Sequence, residues 1–337
     1  MIDLTGTPLA GVDLLMADLD GVVYTGPGAI DYAVESINRA ATMMRCGYIT
    51  NNASRTAASV AQHLTELGLN VSAEDVVTSP QAAVRLLADL VPAGATVLVV
   101  GGEGLTTEVT RAGFVVTDSA EYDPAAVIQG FHPSVGWQQL AEATFALHTG
   151  IPWVATNTDW TIPVARGIAP GNGTLVSAVH TAVGRLPVVA GKPEVAIFAE
   201  AQLRFGGNKS LFLGDRLDTD ILGANRAGLE SVLVLTGIDG PKQVLAADSR
   251  SRPTYILEDL RQLFEPYPET IATTDAATGD HIVAVGSAIV RLSGSVVTID
   301  RMGERSIDLL RAGSALIWAS GLAIYGLEVP IALYSPC

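Results

Sequence analysis

The stretch Leu14-Leu15-Met16-Ala17-Asp18-Leu19-Asp20-Gly21-Val22-Val23-Tyr24 decides the fold. Four apolar residues lead straight into Asp18, which predicts a buried strand of a parallel sheet. Asp18 and Asp20 then stand at its carboxyl end, where open α/β sheets place their chemistry. If strand geometry continued, the two carboxylates would share one face. Like charges this close are costly unless a cation or a reaction needs them. The pair suits a nucleophile and a proton donor acting on one substrate; a strand ending in a solvated acidic turn is the plainer alternative.

Outward from this stretch, strand and helix signals alternate. Ile30, Val34, Ile37, Ala41 and Met44 mark one helical face, with Gly47 as its stop. Tyr48-Ile49-Thr50 predicts a second strand, opening into Asn51-Asn52-Ala53-Ser54-Arg55-Thr56. Val60, Leu64 and Leu67 define another helix, and Ser79-Pro80 starts one that runs to Leu90. Thr96–Val100 is the next strand. The region 91–186 keeps the alternation with its own signals, the clearest being Val127-Ile128, Trp153–Ala155 and the helix Trp137–His148. It is expected to be an inserted second module. Val188–Pro193 returns to the first pattern, Leu211–Gly214 ends in Asp215, Ile221–Ala227 is helical, and Ser231–Leu235 is a further strand. The expectation is an α/β chain with a Rossmann-like parallel-sheet core. The core is formed by 1–90 and 187–265, with 91–186 as an α/β cap. Pro266–Gly279 predicts a linker. Beyond it, 280–337 predicts a small α+β appendage, with strands His281–Leu292 and Val296–Ile299 around Ser293-Gly294-Ser295 and a helix Glu304–Trp318.

The 337 residues carry a net charge of −15, which argues against nucleic acid and anionic membranes as partners. Cys46 and Cys337 give no disulfide framework and no metal-ligand spacing. The expectation is a cytoplasmic chain without a signal peptide. The apolar segment Leu309–Leu327 is interrupted by glycines, Arg311 and serines, so no membrane span is expected.

Four separated pieces stand at predicted strand ends: Asp18/Asp20, Thr50, Lys192, and Asp215 with Asp220. A parallel sheet gathers such ends along one edge. Asp18 can attack phosphorus. Asp20 can protonate the leaving oxygen and then activate water. A hard dication, expected to be Mg²⁺, takes oxygen ligands, and Asp18 and Asp215 supply two. Thr50 and the amides near Asn51 suit phosphoryl oxygens, as does the point charge of Lys192. Taken singly, each piece has a structural alternative: a Thr-Asn-Asn turn, a solvated loop lysine, a helix cap at Asp218 or Asp220.

Together the set D-L-D-G-V-V-Y, I-T-N-N-A-S-R-T, G-K-P and G-D-R-L-D-T-D resembles the haloacid dehalogenase superfamily of phosphotransferases. Asn51-Asn52 after Thr50 and the large insert resemble its NagD-like branch with a C2-type cap. So do Val100–Leu105, Ala155–Asp159 and Pro170–Leu175. The resemblance covers about Leu14–Phe264. It implies Asp18 as nucleophile and Asp20 as acid/base, with Thr50, Asn51, Asn52 and Lys192 holding phosphate. It further implies Asp18, the Asp20 carbonyl and Asp215 as Mg²⁺ ligands, with Asp220 orienting the metal waters. With its alanine-rich composition and extra C-terminal segment, the whole chain resembles the glycerol 3-phosphate phosphatases of that branch. The tail resembles a fragment of a GNAT-type acetyltransferase. Arg311-Ala312-Gly313-Ser314-Ala315 only echoes a coenzyme A loop, so a structural or homodimer-forming role is expected.

The expected function is a Mg²⁺-dependent phosphomonoesterase. A phosphomutase on the same scaffold differs only in water access. A dehalogenase has no need of Asp20. A receiver-type signalling domain needs neither Asp20 nor the insert. The insert is expected to set specificity. Its candidates are Asp159, Trp160 and Ile162, with His132 and Trp137 as weaker ones. A carboxylate that pairs substrate hydroxyls favours a small polyol phosphate such as glycerol 3-phosphate. Phosphoglycolate, a nucleotide and pyridoxal phosphate are the alternatives.

Overall fold

The computed structural model describes residues 4–164 and 166–334. Cys337 therefore lies outside the described residues. The chain forms two compact units. One takes the residues up to 25, 29–40 and from 209 onward; the other takes 26–28 and 41–208.

In the first unit, parallel strands run in the order Tyr255–Leu257, Glu230–Val234, Ser210–Gly214, Leu14–Ala17. Every residue of Leu14–Ala17 is buried, so both faces of this strand are covered and the sequence shows no alternation. Leu14 pairs with Ser210 and Ala17 with Leu213. The pairing continues one residue further, because the Asp18 N–H donates to the Leu213 carbonyl at 2.9 Å. That register sets Asp18 beside the end of the strand that leads to Asp215.

The same unit contains the C-terminal segment, whose layout differs from expectation in two places. Thr270–Thr274, expected within a linker, is a strand paired with His281–Val285. His281–Leu292 is two strands, His281–Val285 and Ala288–Ser293, folded back at Gly286 with φ +55°. Val296–Arg301 completes a four-stranded antiparallel sheet. Helix Ser306–Ser320 packs on this sheet and on helix Pro241–Leu245. Val283, Val290, Leu310 and Leu316 of the tail form one apolar cluster with Leu233 and Ile256 of the parallel strands and Leu245 of helix Pro241–Leu245. The tail therefore buries one apolar face within its own chain, while Ile271, Leu322, Tyr325 and Ile331 stay exposed.

Arg311 fastens this joint. It lies buried inside the helix and donates to the Ile256 carbonyl at 2.7 and 3.0 Å, to Asp308 Oδ1 at 2.8 Å and to Gln262 Oε1 at 3.2 Å. Its guanidinium stacks 4.3 Å from the Tyr267 ring. A residue so engaged is a structural anchor.

In the second unit, five parallel strands run in the order Val188–Val189, Trp153–Ala155, Ala126–Gln129, Thr96–Val100, Val115–Thr117. Val188 and Val189, expected to resume the first pattern, pair with Val154 and Ala155. Strand order reverses between Thr96–Val100 and Ala126–Gln129, the position at which open sheets leave a crevice. The unit also holds the parallel pair Arg45–Thr50 and Val76–Thr78. Gly47 lies inside the first of these strands and does not stop a helix. A Cβ there would sit 2.3 Å from the Phe205 ring, so close packing is what requires glycine. The preceding helix is correspondingly shorter, Ala33–Ala41. Burial pushes the Cys46 thiol up to about 12, with Asp75 adding to it, so this thiol is not a nucleophile at neutral pH. Among the described residues, no helix is long and apolar enough to cross a membrane.

Removing Arg311 leaves Asp308 as a buried carboxylate without its cation. We expect Arg311→Ala to destabilise the protein by about 3–5 kcal/mol in urea unfolding followed by circular dichroism. A loss under about 1 kcal/mol would mean that the tail is held by apolar contact alone.

Candidate active site

In the first unit, Asp18, Asp215 and Asp220 converge. All three are buried, and one carboxylate oxygen from each lies within 4.8 Å of the others. Asp215 follows the Ser210–Gly214 strand directly. Its Oδ2 accepts the Ile238 N–H at 2.8 Å, and its carbonyl accepts the Asp239 N–H at 3.1 Å. Gly21, with φ +81°, and Gly237 flank the same oxygen; a Cβ at either would sit 2.2 or 2.0 Å from it. Asp220 lies in a π-helical turn, Leu217–Ile221. Its Oδ2 accepts the N–H groups of Asp215 and Arg216, each at 3.1 Å. It therefore organises the loop before its turn instead of capping the helix after it.

Strand geometry ends at Ala17, so alternation does not relate Asp18 to Asp20. The Leu19 carbonyl accepts N–H groups from Val22, Val23 and Tyr24, which turns the chain. Asp18 is left buried and Asp20 exposed. Asp20, expected to ligate through its carbonyl, contributes no carboxylate to the cluster. The donor set is all oxygen and buried, which fits a hard dication such as Mg²⁺.

Sequence reasoning missed the loop Thr236-Gly237-Ile238-Asp239. Thr236 Oγ1 donates to the Gly21 carbonyl at 2.7 Å, and Asp239 Oδ2 accepts the Leu217 N–H at 2.6 Å. Burial raises the Asp239 carboxyl above its ordinary range, opposed by that N–H. The missed signal was a glycine-containing polar break directly after a predicted strand.

In the second unit, Thr50 is buried at the carboxyl end of its strand, and its Oγ1 accepts the Asn52 N–H at 3.1 Å. Asn52 Oδ1 accepts from the N–H and hydroxyl of Ser54. Asn51 is a hub. Its Nδ2 donates to the Lys192 carbonyl at 3.0 Å and to Asp159 Oδ1 and Oδ2 at 3.1 and 3.3 Å. Its Oδ1 accepts the Lys192 N–H at 2.8 Å, and its carbonyl accepts from Ser79 Oγ and Asn157 Nδ2. The Asn51 side chain thus fixes the backbone of Lys192, which is itself buried. A Cβ at Gly191 would sit 2.6 Å from Asn51 Oδ1, so glycine lets this approach occur.

Asp159 is half-buried and engaged by Asn51. Trp160 is 66 % exposed, and Ile162 lies on a two-stranded ribbon, Thr161–Val164 with Gly167–Pro170. The His132 Nδ1 hydrogen-bonds Ser134 Oγ at 2.6 Å, and its ring lies against Gly102. Trp137 begins a helix with its side chain exposed.

The family model described as haloacid dehalogenase-like hydrolase matches residues 15–115, and a HAD-hydrolase-like model matches 189–263. The chain is 42 % identical to a D-glycerol 3-phosphate phosphatase of Mycobacterium tuberculosis, over 92 % of this chain and 87 % of that one. It is 35 % identical to an acid sugar phosphatase of Staphylococcus haemolyticus, over 73 % of this chain and 92 % of that one. The solved glycerol phosphate phosphatase of M. tuberculosis in complex with magnesium superposes with a TM-score of 0.83. That match has 39 % identity and covers 96 % and 94 % of the two chains.

Asn51→Ala strips the Lys192 backbone and Asp159 of their shared partner. The expected loss is about 1–3 kcal/mol in thermal unfolding. An unchanged melting midpoint would show that water replaces the amide.

Proposed function

The chain belongs to the haloacid dehalogenase-like hydrolases and is a phosphoric monoester hydrolase; we propose that it cleaves glycerol 3-phosphate to glycerol and phosphate, with Asp18 as nucleophile. The observation that carries this reading is the buried convergence of Asp18, Asp215 and Asp220. The relative named D-glycerol 3-phosphate phosphatase supports the substrate.

In this reading the Asp18 carboxylate attacks phosphorus. Asp20 gives its proton to the ester oxygen, and glycerol leaves. Asp20 then takes a proton from water as the water attacks the aspartyl-phosphate, releasing phosphate and restoring Asp18. Mg²⁺, when bound by Asp18, Asp215 and the Asp20 carbonyl, supplies positive charge against the phosphate oxygens. Asp220 orients that site. Thr50, the amides near Asn51 and Asn52, and Lys192 are assigned to the phosphoryl oxygens. Asn51 acts by holding Lys192, and Asp159 acts by holding Asn51. Trp160 and Ile162 remain the specificity residues for the leaving alcohol. A sugar phosphate is the second reading, favoured by the acid sugar phosphatase relative. The same reading takes the enzyme as cytoplasmic and its reaction as part of glycerophospholipid turnover. A homodimer through the C-terminal segment belongs to it as well, supported by the exposed edge strand Thr270–Thr274.

The test is phosphate release across glycerol 3-phosphate, sugar phosphates, phosphoglycolate, a nucleotide and an aryl phosphate. Glycerol 3-phosphate should give the highest kcat/KM, chelation should remove the activity, and Mg²⁺ should restore it. Asp18→Asn should abolish turnover, and Asp20→Asn should cost on the order of 10²–10⁴-fold. Near-wild-type rates in Asp18→Asn would sink the mechanism, and preference for a nucleotide would sink the substrate. Asp159→Ala should slow every ester in equal proportion; a reordered ranking would return Asp159 to substrate recognition.

A further inference from the structure

We propose that the loop Thr236–Asp239 is a positioning element for the metal carboxylate Asp215, with the Thr236 hydroxyl setting its register. The proposal rests on reading Asp215 as a Mg²⁺ ligand.

Four hydrogen bonds and the close approach of two glycines make the clamp. The Ile238 N–H holds Asp215 Oδ2 at 2.8 Å, and the Asp239 N–H holds the Asp215 carbonyl at 3.1 Å. Gly237 and Gly21 press on that oxygen from two different loops, and neither position has room for a Cβ. Thr236 Oγ1 joins the two loops by donating to the Gly21 carbonyl at 2.7 Å. The Asp239 carboxylate extends the clamp to the Leu217 N–H at the start of the turn that carries Asp220. A shift of either glycine would therefore move Oδ2, and with it the spacing to Asp18 and Asp220.

Hydrogen-bonded supports of metal ligands commonly control affinity by 10–100-fold, about the range expected here. Thr236 acts through Gly21 and Asp215, so it is a positioning residue and not a catalytic one. Thr236→Val keeps the shape and removes the hydroxyl, while Thr236→Ser keeps the hydroxyl. Gly237→Ala puts a methyl carbon 2.0 Å from Oδ2 as it now lies.

The experiment measures Mn²⁺ binding to the full-length chain by electron paramagnetic resonance, without substrate and with Mg²⁺ as competitor. Binding is read at a temperature where each variant matches the unaltered chain in near-ultraviolet circular dichroism. We expect Thr236→Val to raise the Mn²⁺ Kd by about tenfold, Thr236→Ser to restore it, and Gly237→Ala to raise it by about a hundredfold. Unchanged Mn²⁺ binding in Thr236→Val, or equal weakening in Thr236→Ser, overturns the proposal. Asp215→Asn separates it from the reading beneath it. If that variant binds Mn²⁺ normally, Asp215 is not a ligand and both fail. If Asp215→Asn loses binding while Thr236→Val keeps it, only the clamp fails.

Discussion

Three buried carboxylates with oxygens within 4.8 Å of one another set the terms on which the first unit is built. Two unit charges 4 Å apart repel by about 4 kcal/mol at an effective dielectric of 20. Backbone donors offset part of this: two N–H groups on Asp220 and one on Asp215. A divalent cation offsets the rest when bound. The glycines at 21, 214 and 237 follow from the same constraint, since a side chain at any of them would displace Asp215 or Asp220.

Legibility in the sequence tracked the range of the interaction. Leu14–Ala17 and the strand into Asp215 were readable because strands buried on both faces become uninterrupted apolar runs. Asp18, Thr50 and Asp215 stand at the carboxyl ends of strands as the sequence suggested, whereas the strand before Lys192 pairs in the five-stranded sheet of the second unit; the comparisons bear out the family that those motifs resemble. Gly47 was misread because the cause of its small size, the Phe205 ring, lies far along the chain. The hairpin at Gly286 was missed because its two strands form one apolar run with only a two-residue turn between them.

The two asparagine-loop readings diverge for a related reason. A Thr-Asn-Asn sequence after a strand is compatible with holding a ligand or with holding protein backbone. In the structure the Asn51 side chain holds the Lys192 carbonyl and Asp159, and both contacts close over more than a hundred residues and so are invisible in the local sequence. Thr236 escaped notice because, unlike the equally uncharged Thr50, it lies in none of the quoted motifs, although it too follows a strand end. Its partner, the Gly21 carbonyl, is distant in the chain and leaves no mark on the sequence around Thr236.

The division of the chain has a consequence for its synthesis. The second unit is drawn almost wholly from the continuous run 41–208, whereas the first joins residues before 41 to residues after 208. Its apolar cluster also needs Leu310 and Leu316, which follow much later in the chain. On the ribosome, the second unit can fold once its run has emerged. The Leu14–Ala17 strand must wait, with Leu14, Leu15 and Met16 unburied, until its neighbour Ser210–Gly214 arrives. The strand that leads into Asp18 is thus made well before the strand it pairs with, and its apolar side chains stay exposed to wrong partners in the interval.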